Sequence, residues 1–235
     1  MRLVVPVRCA GCELWDVALC EPCAVQLSYQ GLLSCAFQAP RLDPVLQDPH
    51  FASYALWENS GVVKDAITRW KDHGRLDLTG YLATQLRQGA GVLGAGIGLD
   101  RRELAVVPVP STAQANRKRY GQLTTSLAQE LVRGLRQAGY AAKVQELLAL
   151  NRSGEDQTGL GARARQANLQ HRVKMRGEVR GQTPVLLVDD VQTTGASLAA
   201  CYRVLHTAGA QVLGAQVLAF TPDPKQGTIG LTKTP

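Results

Sequence analysis

Two adjacent carboxylates, Asp189 and Asp190, stand between four apolar residues, Val185 to Val188, and a hydroxyl- and glycine-rich turn, Thr193-Thr194-Gly195-Ala196-Ser197. Acids in that setting can accept hydrogen bonds from sugar hydroxyls or bind a divalent cation. The turn offers a different chemistry. Its hydroxyls and backbone N–H groups, at the start of a helix-compatible run, make a ready anion site, and the helix dipole favours negative charge there. An acid pair beside an anion cradle suits a ligand carrying both hydroxyls and phosphate. The alternative, a surface turn, does not explain acids set between a buried strand and an anion loop.

A second constellation lies near the N-terminus. Cys9-Ala-Gly-Cys12 and Cys20-Glu-Pro-Cys23 are two CxxC pairs separated by seven residues. Two such knuckles can bring four thiolates to one tetrahedral Zn²⁺. With all four positions filled by protein, the metal is expected to fold a module rather than do chemistry. Two disulfides and free thiols are the alternatives. Cys35 and Cys201 lack such spacing and are expected to be small buried residues.

These groups must be held by regular elements. Apolar residues at Val62, Val63, Ala66, Ile67 and Trp70 have helical spacing, and Lys71 follows them. Lys71 is either a helix-end cation or a site residue. Residues 76–86 read as a second helix, ended by a glycine-rich loop over 89–98. Residues 104–110, LAVVPVP, are a buried strand stopped by proline, followed by Ser111 and Thr112, which could simply cap a helix. Leu123, Leu127, Leu131 and Leu135 mark another helix, and residues 144–150 a strand. A strand–helix–strand unit over 185–190, 198–208 and 212–220 completes the pattern. Residues 24–50 are mixed, with Pro40, Pro44 and Pro49 marking an extended linker. Strands alternating with helices predict an α/β fold, a mostly parallel sheet with helices on both faces, plus a small N-terminal zinc-binding module. The expected divisions are 1–40 for the module, 51–221 for the sheet domain and 222–235 for a tail.

The chain has 235 residues, a net charge of +7 and 45% hydrophobic residues, a composition that fits a globular protein; its basic charge suits either a polyanionic partner or ligand or a basic surface of scattered arginines. No apolar run approaches the roughly 20 residues of a membrane span. No long apolar segment precedes Cys9, and a cytoplasmic protein is expected. Neither GxxxxGK[ST] nor GxGxxG occurs in the anion loop, so it is not a Walker A or dinucleotide motif.

The strand, the two acids and the Thr/Gly/Ser turn resemble the phosphoribosyl-pyrophosphate (PRPP) loop of type I phosphoribosyltransferases. With the double CxxC, the lysine after an amphipathic helix, the VVPVP strand and a later Gln/Arg/Asn-bearing loop, residues 9–220 resemble the ComF family of competence proteins. The resemblance implies a type I phosphoribosyltransferase-like domain. In it Asp189 and Asp190 would face the ribose hydroxyls, directly or through Mg²⁺. Thr193, Thr194, Gly195, Ala196 and Ser197 would cradle a 5-phosphate. Pro110, Ser111 and Thr112 would form the pyrophosphate-side loop, with Lys71 beside it, and Gln157, Arg165 and Asn168 a flexible loop over the site. At Lys118-Arg119-Tyr120-Gly121-Gln122 the chain departs from the family's basic run.

The resemblance implies action on imported single-stranded DNA during natural transformation. Its partners would be a competence helicase or a recombinase-loading protein, and a PRPP-like small molecule would fill the pocket. An active phosphoribosyltransferase, moving ribose 5-phosphate to a nitrogen acceptor, and a non-catalytic PRPP or nucleotide sensor are the alternatives.

Overall fold

The computed structural model describes residues 7–35, 51–99, 102–111, 123–151, 172–179, 183–222 and 233–234. Among them, nine strands and five α-helices run in the order α1 (Glu21–Gln26), β1 (Leu32–Ser34), β2 (Ala52–Glu58), α2 (Gly61–Asp72), α3 (Thr79–Gly96), β3 (Leu104–Pro108), α4 (Leu123–Gln137), β4 (Ala142–Val144), β5 (Leu148–Leu150), β6 (Val173–Met175), β7 (Pro184–Gln192), α5 (Ala196–Thr207), β8 (Gln211–Phe220) and β9 (Lys233–Thr234). A 3₁₀ turn, Leu76–Leu78, precedes α3.

Seven strands form one sheet in the order β4-β3-β7-β8-β2-β1-β9. The five from β4 to β2 are parallel, and β1 and β9 close that edge in antiparallel pairing. β5 and β6 form a separate antiparallel pair. The α/β class expected from alternating strands and helices is the one observed.

Alternation along the strands splits the interior in two. Leu104 and Val106 of β3, with Leu186 and Val188 of β7, pack with the apolar residues of α2, α3 and α4. Ala105, Val107, Val185 and Leu187 face α5 and the β5–β6 pair. Both faces are covered, so the central strands carry apolar residues on both faces rather than alternating apolar with polar. The leucine stripe of α4 is buried as its spacing predicts, with Leu127, Leu131 and Leu135 fully enclosed. Replacing Leu131 by alanine is expected to cost about 2–5 kcal/mol of stability by removing buried methyl groups and leaving a cavity. Urea unfolding would measure this, and a loss below 1 kcal/mol would contradict the packing.

Three expectations are corrected. Residues 89–96 are not a loop but the second half of α3. The bare glycines in it admit close neighbours: a Cβ at Gly94 would lie 2.4 Å from the Tyr140 ring, and one at Gly89 2.8 Å from Tyr29. Tertiary packing overrides the low helix propensity of glycine there. The linker expected in residues 24–50 does not span them all, because α1 runs on to Gln26, β1 lies within them and Leu33 pairs with Ala55 of the main sheet. The strand expected over 144–150 is two short strands, β4 in the main sheet and β5 in the small one.

Candidate functional site

At the carboxyl ends of β3 and β7 the chain diverges. From β3 it passes through α4 to β4 on one side, and from β7 through α5 to β8 on the other. α4 and α5 also lie on opposite faces. Such a divergence between neighbouring parallel strands opens a crevice at their carboxyl ends, the usual ligand position in open α/β sheets. Both polar segments singled out in the sequence end there. Pro108 is in register with Val188, and the Val109 amide donates to the Val188 carbonyl at 2.9 Å. Pro110 and Ser111 therefore leave β3 alongside Asp189 and Asp190.

The acids lie within β7, not after it, because Asp189 pairs with Val217 and the strand continues to Gln192. Successive strand residues point to opposite faces. Asp190 accordingly turns to the α2 side, where Lys71 Nζ donates to its Oδ1 at 2.7 Å. Asp189 turns to the α5 side, where its charge, after burial, helps push the Cys201 thiol up. Asp190 is only 5% exposed, and its Oδ1 also accepts the Val191 amide at 2.7 Å. Asp189 Oδ1 accepts the Asp190 amide at 2.9 Å. Both acids are hard oxygen donors of the kind Mg²⁺ takes, but Asp190 already carries an ammonium partner.

The anion loop follows directly. Thr193 and Thr194 are exposed. Gly195 stands at the N-cap of α5 with φ +69°, a left-handed conformation that glycine takes without steric cost. The N-cap glycine has no side chain to cap the helix start; the Ala196 amide donates to Thr194 Oγ1 at 3.4 Å. Orphan amides at a helix N-terminus, together with the hydroxyls of Thr193, Thr194 and Ser197, can hold a phosphate-sized anion. A cleft beside the end of β3 is lined by Pro110, Ser111, Thr124, Glu146 and Arg176. Thr112, Gln157, Arg165, Asn168 and the basic run 117–119 lie outside the described residues.

Sequence reading missed two contributors. Gln192 is buried at the base of the loop, its Oε1 accepting from Ser53 Oγ, while its Nε2 has no partner among the described residues. A lone amide in a strand flanked by valine and the loop was the available signal. Arg69 and Arg75 are the second. Arg69 donates to the Gly11 carbonyl at 3.3 Å and to Glu13 Oε1 at 2.7 Å, and Arg75 donates to the carbonyls of Arg8 and Ala18 at 2.6 and 3.0 Å. They clamp the cysteine module onto the end of α2. Nothing in local sequence marks them, since their partners lie 56 to 67 residues away.

Arg75→Ala removes two charge-assisted bonds to backbone. It is expected to loosen residues 7–20 by about 1–3 kcal/mol. Hydrogen exchange confined to that segment would read it, and unchanged protection would refute the clamp.

The four expected metal-ligating cysteines do converge. One atom from each of Cys9, Cys12, Cys20 and Cys23 lies within 4.8 Å of the others, and Cys20 Sγ is 3.5 Å from both Cys9 Sγ and Cys12 Sγ. A tetrahedral zinc with about 2.3 Å bonds needs sulfur separations of about 3.8 Å. All four are free thiols. Burial raises the Cys9 thiol, but backbone N–H groups of Cys12, Cys20 and Gly11 outweigh it and bring it down to about 6. A Cβ at Gly11 would lie 2.6 Å from Cys23 Sγ, inside the cluster. The donor set and the space fit one zinc ion. Cys35 and Cys201 are buried away from it, as expected, and burial lifts Cys35 to about 12.

Comparison with known proteins gives no match to any family model and none to a curated protein. Among solved structures the chain is similar to the hypoxanthine-guanine phosphoribosyltransferase of Leishmania donovani, at 14% identity and a TM-score of 0.39, over 63% of this chain and 74% of that one. It is similar to the Trypanosoma cruzi hypoxanthine phosphoribosyltransferase at 14% and 0.39, over 63% and 79%, and to the Staphylococcus aureus enzyme at 13% and 0.33, over 63% and 68%. These are likenesses of fold. No helix among the described residues is long and apolar enough to cross a membrane.

Proposed function

We infer that the crevice between β3 and β7 binds a phosphoribosyl ligand of the PRPP type. The observation that carries this reading is the meeting, at one strand end, of two carboxylates and an uncapped helix N-terminus on a threonine-rich loop. In this reading, Thr193, Thr194, Ser197 and the amides from Gly195 onward take the 5-phosphate. Asp190 and Asp189 accept from the ribose hydroxyls. Pro110, Ser111 and Thr112 border the pyrophosphate, and Gln157, Arg165 and Asn168 belong to the loop that covers it. Mg²⁺ bound to the pyrophosphate would neutralise charge on that leaving group. The protein's part is to fix the sugar and stabilise charge, with no covalent nucleophile required.

The cellular role that fits the whole chain is that of a cytoplasmic ComF-type competence protein acting on imported single-stranded DNA, alongside a competence helicase or a recombinase-loading partner. Its support is the sequence resemblance, the net positive charge and an exposed Trp15 with the Arg8 guanidinium 3.7 Å from its ring centre. Aromatic and guanidinium groups of this kind stack bases. The zinc module, held by Cys9, Cys12, Cys20 and Cys23, carries that pair. An active phosphoribosyltransferase transferring to a nitrogen acceptor is the second reading, favoured by the same crevice.

Calorimetry with PRPP and Mg²⁺ tests the site, with saturable one-to-one binding expected. Absence of heat with PRPP and with ribose 5-phosphate would overturn the reading. Pyrophosphate release across a panel of nucleobases separates transferase from sensor. A gel-shift series with single-stranded DNA at increasing salt tests the DNA role, where a steep loss of binding with salt is expected.

A further inference from the structure

Lys71 is the residue whose placement differs most from a phosphate-binding role. Its ammonium does not face the anion loop but the acid. The Oδ1 of Asp190 receives both Lys71 Nζ and the Val191 amide at 2.7 Å, so its two acceptor positions are committed. A ligand hydroxyl is left the other carboxylate oxygen. The pair is largely withdrawn from water, with side-chain exposures of 25% for Lys71 and 7% for Asp190.

The lysine is also held firmly from behind. Trp70, its neighbour on α2, is fully buried and donates from Nε1 to Thr79 Oγ1 at 2.9 Å. Arg69 before it and Arg75 after it are bonded to the backbone of the cysteine module. The last turn of α2 is thus pinned between the sheet and that module, and Lys71 projects from it onto Asp190.

We propose that Lys71 is a positioning residue, the built-in counter-cation of Asp190, which lets the ribose side of the crevice bind without a divalent ion on that carboxylate. This rests on the phosphoribosyl reading and deepens it. A second cation brought to Asp190 would meet an ammonium at contact distance, and like charges so close in a partly desolvated site repel strongly. Any Mg²⁺ requirement of the protein then belongs to the pyrophosphate of the ligand and not to Asp190. Ribose 5-phosphate, which lacks pyrophosphate, separates the two.

The test is calorimetric titration of ribose 5-phosphate into the full-length protein, with EDTA and then across a magnesium series. The unsubstituted protein is expected to bind equally in both. Lys71→Gln is expected to bind about tenfold or more weakly in EDTA, because the uncompensated charge of Asp190 repels the anionic ligand, and to regain affinity as Mg²⁺ rises. Lys71→Arg, which keeps the cation, is expected to stay near the unsubstituted affinity. Asp190→Asn combined with Lys71→Gln should lose little beyond either single change, because the two act as a unit. If Lys71→Gln does not fold, the arginine variant and Asp190→Asn carry the same comparison. Magnesium-dependent binding by the unsubstituted protein, or full EDTA affinity in Lys71→Gln, would overturn the proposal while leaving the phosphoribosyl site intact. Failure of every form to bind both ribose 5-phosphate and PRPP would instead remove the site reading on which it stands.

Discussion

Cys9→Ser protein is expected to lose one zinc ion per chain and, with it, the structure of residues 7–26. The reason lies in what the module has for an interior. Among the described residues Cys9, Cys20 and Cys23 themselves make up its buried cluster, with Val17, Leu19 and Val62 packed against them. So few apolar groups cannot offset the entropy of ordering some twenty residues at about 1–2 kcal/mol each. Metal–thiolate bonds can, since structural zinc contributes roughly 10–16 kcal/mol in small finger peptides at neutral pH. Bound metal should also be released on acidification, because protons compete for the thiolates. The sheet domain has its own two cores and should persist. Metal analysis of the purified protein and residue-resolved hydrogen exchange check both halves of the statement. A metal-free native protein with full protection over 7–26 would refute it.

Asp189→Asn combined with Asp190→Asn is expected to reduce PRPP affinity by about 100-fold or more, with the fold kept. Each carboxylate would make a charge-assisted hydrogen bond to a ribose hydroxyl, and such bonds contribute about 1.5–3 kcal/mol. Asparagine retains the shape but not the charge. The side chains stand at the end of β7, beyond the apolar layer formed by Val185 to Val188, so no core is opened. Asp190→Asn also leaves Lys71 without its carboxylate, which is why a melting curve belongs beside the titration. Unchanged affinity in a folded double variant would show that the acids do not touch the ligand.

The parts of the site legible in sequence are those fixed by local covalent order. Two CxxC pairs seven residues apart can close on one centre because short loops keep four sulfurs within reach. The apolar stripes of α2 and α4 are buried because 3.6-residue periodicity aligns them. Strand, acid pair and anion loop are contiguous, so β7, residues 193–195 and α5 could be read as one unit. Even the opposite facing of Asp189 and Asp190 follows from strand periodicity once both are placed inside β7.

What remained hidden depends on contacts between distant segments. The glycines of α3 read as a loop until Tyr29 and Tyr140 are seen against them. The neighbouring of β3 and β7, which makes two separate polar segments into one crevice, is a property of strand order. By itself the sequence determined that this protein has a four-cysteine cluster, an acid pair and a threonine- and glycine-rich turn at a helix start, because each is written in residues a few positions apart. Only the tertiary structure decided that Lys71, 119 residues before it in the chain, is the partner of Asp190, and that the helix presenting Lys71 is clamped to the cysteine module. Ion pairs between segments so far apart form when a sheet and its covering helices pack, and no local propensity encodes them.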